Sequence, residues 1–175
     1  SSLSPAVSSD TFTNGTEDLS IDVSDMVEDW MTGGAAAACS VIINNSATST
    51  NLDTLDFRIV DSQGTIRDFT FDKDVTTAGE TIGLSGLASV EAIRDKIVES
   101  INNVSVLRVT AAAISDLGGQ KAFSVTMDDI GLAGNKTGGI GDFEDSGSHD
   151  GGSTQYLTVN TDNFQNGTGI LNYGF

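Results

Sequence analysis

The sequence predicts a strand-rich α+β fold in which antiparallel hairpins form a sheet and one main helix packs on a face of it. Twenty glycines, a single proline and many Ser, Thr, Asn and Asp residues indicate numerous turns and few long helices. One segment, residues 89–103, has the apolar spacing of a long helix. The segments on both sides of it alternate apolar with polar residues, as half-buried strands do. Long loops and extended termini complete the predicted fold.

The main helix is predicted from a cap, an apolar stripe and a stop signal. Ser89 is a suitable N-cap, and Glu91 suits the positive end of the helix dipole in the first turn. Asn102 and Asn103 can end the helix. The apolar stripe at helical spacing consists of Val90, Ile93, Ile97 and Ile101.

Two hairpins flank this helix. The first spans residues 55–71 with a turn at 61–64, and its phenyl and aliphatic side chains are expected on one face. The second spans residues 107–127 with a turn at 116–120. One helix on one face of an antiparallel sheet is the simplest arrangement that buries all of these apolar stripes.

The segment before the hairpins changes its apolar spacing along its length. Residues 19–23 alternate like a strand, whereas the next apolar residues recur at helical spacing: Val23, Met26, Val27 and Trp30. We predict a short strand followed by a short helix in which Trp30 is a core anchor. A strand at residues 41–43 and a polar loop at residues 44–51 follow.

These patterns divide the chain into four segments. Residues 1–16 are expected to form an extended arm, and residues 17–50 a strand, short helix and strand. Residues 51–140 are the hairpin–helix–hairpin module. Residues 141–175 are expected to contain a Gly/Asp-rich loop, a short strand and a C-terminal tail.

Charge and hydropathy exclude two classes of partner. The formal net charge of −17 repels phosphate backbones, so we expect no nucleic-acid binding. No apolar run approaches the ~20 residues that span a bilayer, and no secretory signal is visible, so we expect no membrane association. The excess of carboxylates keeps the surface soluble and can attract divalent cations or a basic partner.

No catalytic constellation is evident, and we do not expect an enzyme. The sole cysteine, Cys39, lies among small and apolar residues and is expected to be a buried hydrophobe. The sole histidine, His149, lies in a glycine-rich loop beside Ser146, Ser148 and Asp150. Nucleophilic catalysis needs such groups to converge on a rigid scaffold, and adjacency in a loop does not supply that geometry.

One metal site is considered. Asp142, Glu144 and Asp145, with Asp150 nearby, place several hard oxygen ligands on a glycine-rich stretch, as Ca²⁺ prefers. The spacing resembles the start of an EF-hand loop, but position twelve is Ser153 and no flanking helices are evident. The alternative is a solvated acidic loop. No other cofactor is expected.

Two stretches of the chain resemble phage structural proteins. The first runs from residue 12 to 34 and resembles a pattern in large phage structural and fibre-like polypeptides: a G-x-E-D-L strand, an Asp-Val-Ser step, Val-x-x-Trp and a glycine turn. The matching residues are Gly15, Glu17, Asp18, Leu19, Asp22, Val23, Ser24, Val27, Trp30 and Gly33. In that family an Asn-Gly and a strand follow the turn, whereas this chain has Gly34 and four alanines.

The second stretch, from about residue 55 to 137, is similar to a small module repeated in phage tail, baseplate and capsid-associated proteins. The shared pattern is a Gly turn, a Phe-x-Phe strand, a helix ending in Ile-Asn, a Thr-Ala strand and Gly-x-x-Gly-Asn. Flagellar hook and cap proteins contain a similar helix and Thr-Ala strand. The matching residues are Gly64, Phe69, Phe71, Ile101, Asn102, Thr110, Ala111, Gly131, Gly134 and Asn135.

The resemblance implies a structural subunit of a tailed-phage virion, in the tail, neck, baseplate or capsid decoration. Such a subunit would assemble in the host cytoplasm into an extracellular particle as a homo-oligomer in contact with other virion proteins. Two alternatives are an adhesin that binds a receptor or glycan through residues 131–155, and a flagellar hook-like extracellular assembly protein. The start of the chain just before the first motif is consistent with a fragment or a processed chain.

Overall fold

The computed structural model describes residues 35–131, 143–145 and 156–161. Neither of the helices in this part of the chain is long and apolar enough to cross a membrane. The elements in chain order are β1 (Ala36–Ile43), α1 (Ser49–Leu52), β2 (Asp56–Val60), β3 (Ile66–Asp72), β4 (Thr81–Gly83), α2 (Val90–Asn102), β5 (Val109–Leu117), β6 (Gln120–Ile130), β7 (Phe143–Asp145) and β8 (Leu157–Thr161).

The strands divide between two four-stranded sheets. Sheet A has the order β5-β6-β1-β8 and is antiparallel throughout. Sheet B has the order β4-β3-β2-β7, and within it only the β3–β4 pair is parallel. The two predicted hairpins are β2–β3 and β5–β6, and they lie in different sheets because β1 pairs with β6 and β7 pairs with β2. The strand-rich α+β class with one main helix is confirmed.

A single hydrophobic core joins both sheets to α2. Phe57 and Phe69 face each other across β2 and β3 with their ring centroids 5.0 Å apart, and Phe71 lies 5.8 Å from Phe57. Helix α2 packs against β5 and β6 of sheet A and against β4 of sheet B. Burial of each large apolar side chain in this core contributes roughly 1.5–3 kcal/mol. The largest fully buried side chains are Phe57, Phe69, Phe71, Phe123, Ile43, Leu52, Ile59, Ile82, Leu84, Ile93 and Ile97.

The predicted boundaries of α2 are confirmed. The hydroxyl of Ser89 accepts a hydrogen bond from the backbone N–H of Ala92 at 3.1 Å, which satisfies one of the free donors of the first turn. The helix ends at Asn102, and the N–H of Asn103 closes the last turn on the carbonyl of Glu99. The isoleucines of the predicted stripe are buried in the core.

The turn between β5 and β6 is a two-residue hairpin turn. Gly118 and Gly119 have φ values of 58° and 76°, the left-handed conformation that a type I′ turn requires at both positions. Strand β5 carries a bulge between Ile114 and Leu117, just before the turn. The turn predicted at residues 116–120 is therefore confirmed.

Other elements differ from the predicted ones. Strand β1 begins at Ala36, before the predicted strand at 41–43, because small residues such as Cys39 occupy its buried face. The polar loop predicted at 44–51 contains the start of α1, which the Thr48 side chain caps. Strands β4 and β7 were not predicted, since each has three residues and no alternation to detect. The prediction that Cys39 is buried is confirmed, as its exposure is 2%.

Several predicted features lie outside the described residues. These are the arm at 1–16, the short helix containing Trp30, His149 and most of the glycine-rich stretch. The division of the chain into four segments stays a prediction.

Asn102 is expected to be the most sensitive polar residue of α2. Its amide group makes two hydrogen bonds to the backbone of Ala111 in β5, accepting from the N–H at 2.8 Å and donating to the carbonyl at 2.9 Å. Asn102→Ala should lower the free energy of unfolding by about 2 kcal/mol, because two part-buried backbone groups lose their partner. Urea unfolding measures this change.

The matched control is Asn45→Ala. The Asn45 amide makes one exposed hydrogen bond, to the Gly119 carbonyl at 3.2 Å, so its loss should change stability by less than half as much. Equal effects of the two substitutions would show that the Asn102 contact does not stabilise the fold.

Candidate functional site

Two of the four predicted calcium ligands lie in a strand. Glu144 and Asp145 belong to β7, which pairs antiparallel with β2. The expectation of one long irregular loop is thus corrected at residues 143–145. Asp142 and Asp150 lie outside the described residues. The described part of the chain contains no group of three or more His, Cys, Asp or Glu residues that could hold a metal ion. Calcium binding by these four residues stays a prediction.

A cluster of polar residues joins the two sheets at one end of the core. This inter-sheet clasp consists of Asp61, Ser62 and Gln63 from the β2–β3 turn, with Arg108 before β5 and Asp129 in β6. Asp61 is fully buried. One of its carboxylate oxygens accepts from the backbone N–H groups of Gln63 at 2.9 Å and Thr65 at 2.8 Å. The other accepts from the N–H of Arg108 at 3.1 Å, which ties the turn to β5.

Asp129 forms the second half of the clasp. Its carboxylate accepts from Arg108 Nε at 3.0 Å and from Gln63 Nε2 at 3.0 Å, and it also accepts from the hydroxyl of Ser62. Ser62 and Gln63 belong to the hairpin of sheet B, whereas Asp129 belongs to sheet A. The clasp therefore holds the sheets together through side chains from distant parts of the sequence.

Both carboxylates of the clasp are held in the ionised form. Burial acts to raise the pKa of Asp61, but the backbone N–H groups of Thr65, Arg108 and Gln63 together outweigh it and lower the pKa. Hydrogen bonds from Arg108, Ser62 and Gln63 hold the pKa of Asp129 well below its usual range. A carboxylate with so low a pKa has no proton to donate at neutral pH and is a weak base. The chemistry of the clasp is therefore that of a structural tie.

Basic side chains on the described surface are already paired. Each of the seven Lys and Arg residues in the described ranges lies within 3.5 Å of a carboxylate. Arg58 and Asp68 form a two-point pair across β2 and β3, at 2.7 and 3.2 Å. A phosphate group would have to compete with these carboxylates in a protein of net charge −17.

A shallow cavity of about 300 Å³ lies between α1 and the start of α2. Its polar lining includes Thr48, Ser49 and Ser89. Their hydroxyl groups are engaged with the backbone: Thr48 and Ser89 cap the two helices, and Ser49 donates to the carbonyls of Leu84 and Leu87. The cavity therefore offers a ligand few groups that are not already used by the fold.

The sheet edges next to α2 are protected against further pairing. The backbone N–H and carbonyl of Ala111, which point away from β6, are hydrogen-bonded to the side chain of Asn102. The bulge after Ile114 interrupts the same edge of β5. On β4, the N–H of Gly83 donates to the carbonyl of Thr77 at 2.8 Å, so the preceding loop covers that edge. The opposite edges are formed by the short strands β7 and β8. Among the described strands, β7 and β8 therefore form the second edge of sheet B and of sheet A, respectively.

Comparison with known proteins adds a weak structural likeness. No family model and no curated protein matches the chain. The chain is similar to the D2-D3 domains of the flagellar cap protein FliD from Escherichia coli, with 20% identity and a TM-score of 0.33 over 73% of this chain and 61% of that one. The chain is also similar to the D1-D2-D3 domains of FliD from Escherichia coli, with 19% identity and a TM-score of 0.32 over 77% of this chain and 42% of that one. The chain thus spans about three fifths or less of these structures.

Asp61→Asn should destabilise the protein and flatten its response to acid. The amide cannot accept from all three N–H groups as the carboxylate does, so the free energy of unfolding should fall by about 2–3 kcal/mol at neutral pH. Because the folded pKa of Asp61 is lowered, its contribution is present above the ordinary carboxyl pKa of about 3.9 and is lost as the pH falls through the folded value. Urea unfolding between neutral pH and pH ~2.5 measures both effects.

The control for this prediction is Asp74→Asn, which removes a charge from a side chain that is 78% exposed. It should change neither the stability at neutral pH nor the acid response appreciably. If Asp61→Asn kept the wild-type acid response, the buried carboxylate would not be a source of acid sensitivity.

Calcium should give a measurable heat and a higher Tm if the predicted acidic site binds it. The physical reason is that a cation bound only by the folded state stabilises that state. Isothermal calorimetry and melting in millimolar Ca²⁺ test this, and the double variant Asp142→Asn, Asp150→Asn should lose both responses. A control double variant, Glu80→Gln, Asp116→Asn, removes the same charge elsewhere. No heat and no shift in the wild-type protein would end the calcium hypothesis.

Proposed function

We propose that this protein is a non-enzymatic structural subunit of an extracellular assembly, and that the assembly is a phage particle in which it forms part of the tail, neck, baseplate or capsid decoration. The subunit acts by self-association and by contacts with neighbouring subunits. The inter-sheet clasp is the observation that carries this proposal. Strongly perturbed ionisable groups in enzymes tend to cluster in clefts. Here the two carboxylates with lowered pKa values, Asp61 and Asp129, link two sheets.

A building block must be rigid and must offer surfaces for contact. Rigidity is supported by the common core of both sheets and α2, with the clasp at one end. Contact surfaces are supported by the unequal protection of the sheet edges, since β5 and β4 are blocked whereas β7 and β8 form the remaining edges. Strand edges bind neighbours through backbone hydrogen bonds, which suits repeated assembly.

The position of the free backbone groups on β8 follows from the register. The N–H of Asn44 donates to the carbonyl of Tyr156, and the pairing continues with Ile42 opposite Thr158 and Val41 opposite Val159. In an antiparallel pair, alternate residues direct their N–H and carbonyl groups away from the partner. Val159 is such a residue, so its backbone groups point to the outer edge of sheet A.

Val159→Pro is expected to weaken self-association. Proline removes the outward N–H of β8 and leaves the pairs with β1 intact. Light scattering coupled to size-exclusion chromatography, from micromolar to millimolar protein, should show oligomers in the wild type and mostly monomer in the variant. Negative-stain electron microscopy of the same samples shows whether the oligomers are ordered.

Ala113→Pro is the matched control. The backbone N–H and carbonyl of Ala113 also point away from the neighbouring strand, because Ala113 lies two residues after Ala111, but they lie on the protected edge of β5. This substitution should leave assembly unchanged. A wild-type protein that remains monomeric throughout and converts a substrate would contradict the proposed function. Mass spectrometry of purified phage particles, with flagellar filaments as the comparison, distinguishes a virion subunit from a flagellar one.

A further inference from the structure

The two sheets differ in the chemistry of their outer faces. On sheet B the outer face carries the Arg58–Asp68 pair and Asp56. On sheet A the register brings small and uncharged residues together in rows, and in the described strands Asp128 is the one charged residue on this face. The rows are Thr110–Thr126–Ala38, Ala112–Ser124–Ser40 and Ile114–Ala122–Ile42–Thr158.

An exposed isoleucine, two residues after Asp128, marks one end of this face. Ile130 is 48% exposed and lies opposite Ala36, at the beginning of β1. The chain enters the face at the same point, because the N–H of Gly131 donates to the carbonyl of Ala35 at 3.1 Å. The segment that precedes Ala35 is therefore tethered beside Ile130.

This preceding segment has the apolar residues to cover a face of small and mostly uncharged residues. Residues 17–34 contain six carboxylates and no Lys or Arg, so the negatively charged parts of the surface repel them. Their other large residues are apolar and include Trp30, five residues before Ala35, and Met31. Five residues span at most ~17 Å, so the Ile130 end of the face is within reach of Trp30.

We propose that residues 17–34 of the same chain cover the outer face of sheet A, with Trp30 as the apolar anchor at the Ile130 end. A short tether gives an effective concentration in the millimolar range, so a small apolar contact is enough to hold the segment. The contact removes Ile130 and Trp30 from water together.

The size of the face favours this segment over a second copy of the protein. Four strands at ~4.8 Å spacing and a length of roughly 23 Å give an area of roughly 400 Å². A stable interface between two proteins buries about 800 Å² on each partner. A tethered segment does not need so large an area, because its covalent link to Ala35 keeps it beside the face.

Trp30 reports on the proposal directly because it is the sole tryptophan of the chain. In the full-length protein its fluorescence should be blue-shifted, and acrylamide should quench it several-fold less efficiently than in urea-unfolded protein. Ile130→Asp should abolish most of this protection, since a carboxylate at the anchor point repels the acidic segment and removes its apolar contact.

A matched control exists on the other sheet. Ile66 is 49% exposed, so Ile66→Asp places the same charge at equal exposure on the outer face of sheet B and should leave quenching unchanged. Ser124→Glu in the middle of the face, with Thr70→Glu as its control on β3, gives a second pair in case Ile130→Asp impairs folding, which far-ultraviolet circular dichroism monitors.

Three outcomes would overturn the proposal. In the first, acrylamide would quench Trp30 in the wild type as efficiently as in unfolded protein. In the second, Trp30 would be protected equally in all folded variants. In the third, its protection would rise with protein concentration, which would mean that a second copy covers the face. Unchanged assembly in Val159→Pro, with Trp30 still protected, would contradict the proposed function alone.

Discussion

The phenyl face of sheet B is the constraint on which the rest of this structure depends. Phe57, Phe69 and Phe71 are brought side by side by the β2–β3 register, and a face of this kind is stable only under a second apolar layer. Helix α2 and the inner face of sheet A supply that layer. The helix contacts strands of both sheets, so neither sheet has a core of its own.

A layered apolar core leaves its ends open, and the polar residues at one end close it. The β2–β3 turn must pass close to β5 and β6, where its backbone N–H groups lose water. Asp61 supplies a buried acceptor for two of these groups and for the backbone N–H of Arg108, and the Arg108–Asp129 pair lies beside it. The same contacts that satisfy the backbone also lower the pKa values of both carboxylates, so their ionisation is a consequence of how the sheets are joined.

The distribution of charge separates surfaces with different roles. Paired charges lie on the outer face of sheet B, which suits contact with water. The outer face of sheet A carries small and mostly uncharged residues, with Asp128 as the one charged residue of its described strands.

The sequence by itself determined the local elements of this protein. Helix α2 with its Ser89 cap, the two hairpins, the glycine turn at 116–120 and the buried state of Cys39 follow from short-range patterns of apolar, capping and turn residues. Such signals depend on residues that are close together in the sequence, so they can be recognised without knowing which other element packs against them. Short strands such as β4 and β7 lack these signals, because three residues cannot show a period.

Only the tertiary structure decided which strands share a sheet, and with it the inter-sheet clasp. Asp61 has the sequence signature of an ordinary turn residue, and Asp129 has none that distinguishes it from the other acidic residues. Their partners are 47 and 67 residues away along the chain, in the pairs Asp61–Arg108 and Ser62–Asp129. Contacts over such separations depend on how the apolar layers stack, and a pattern along one strand does not contain that information.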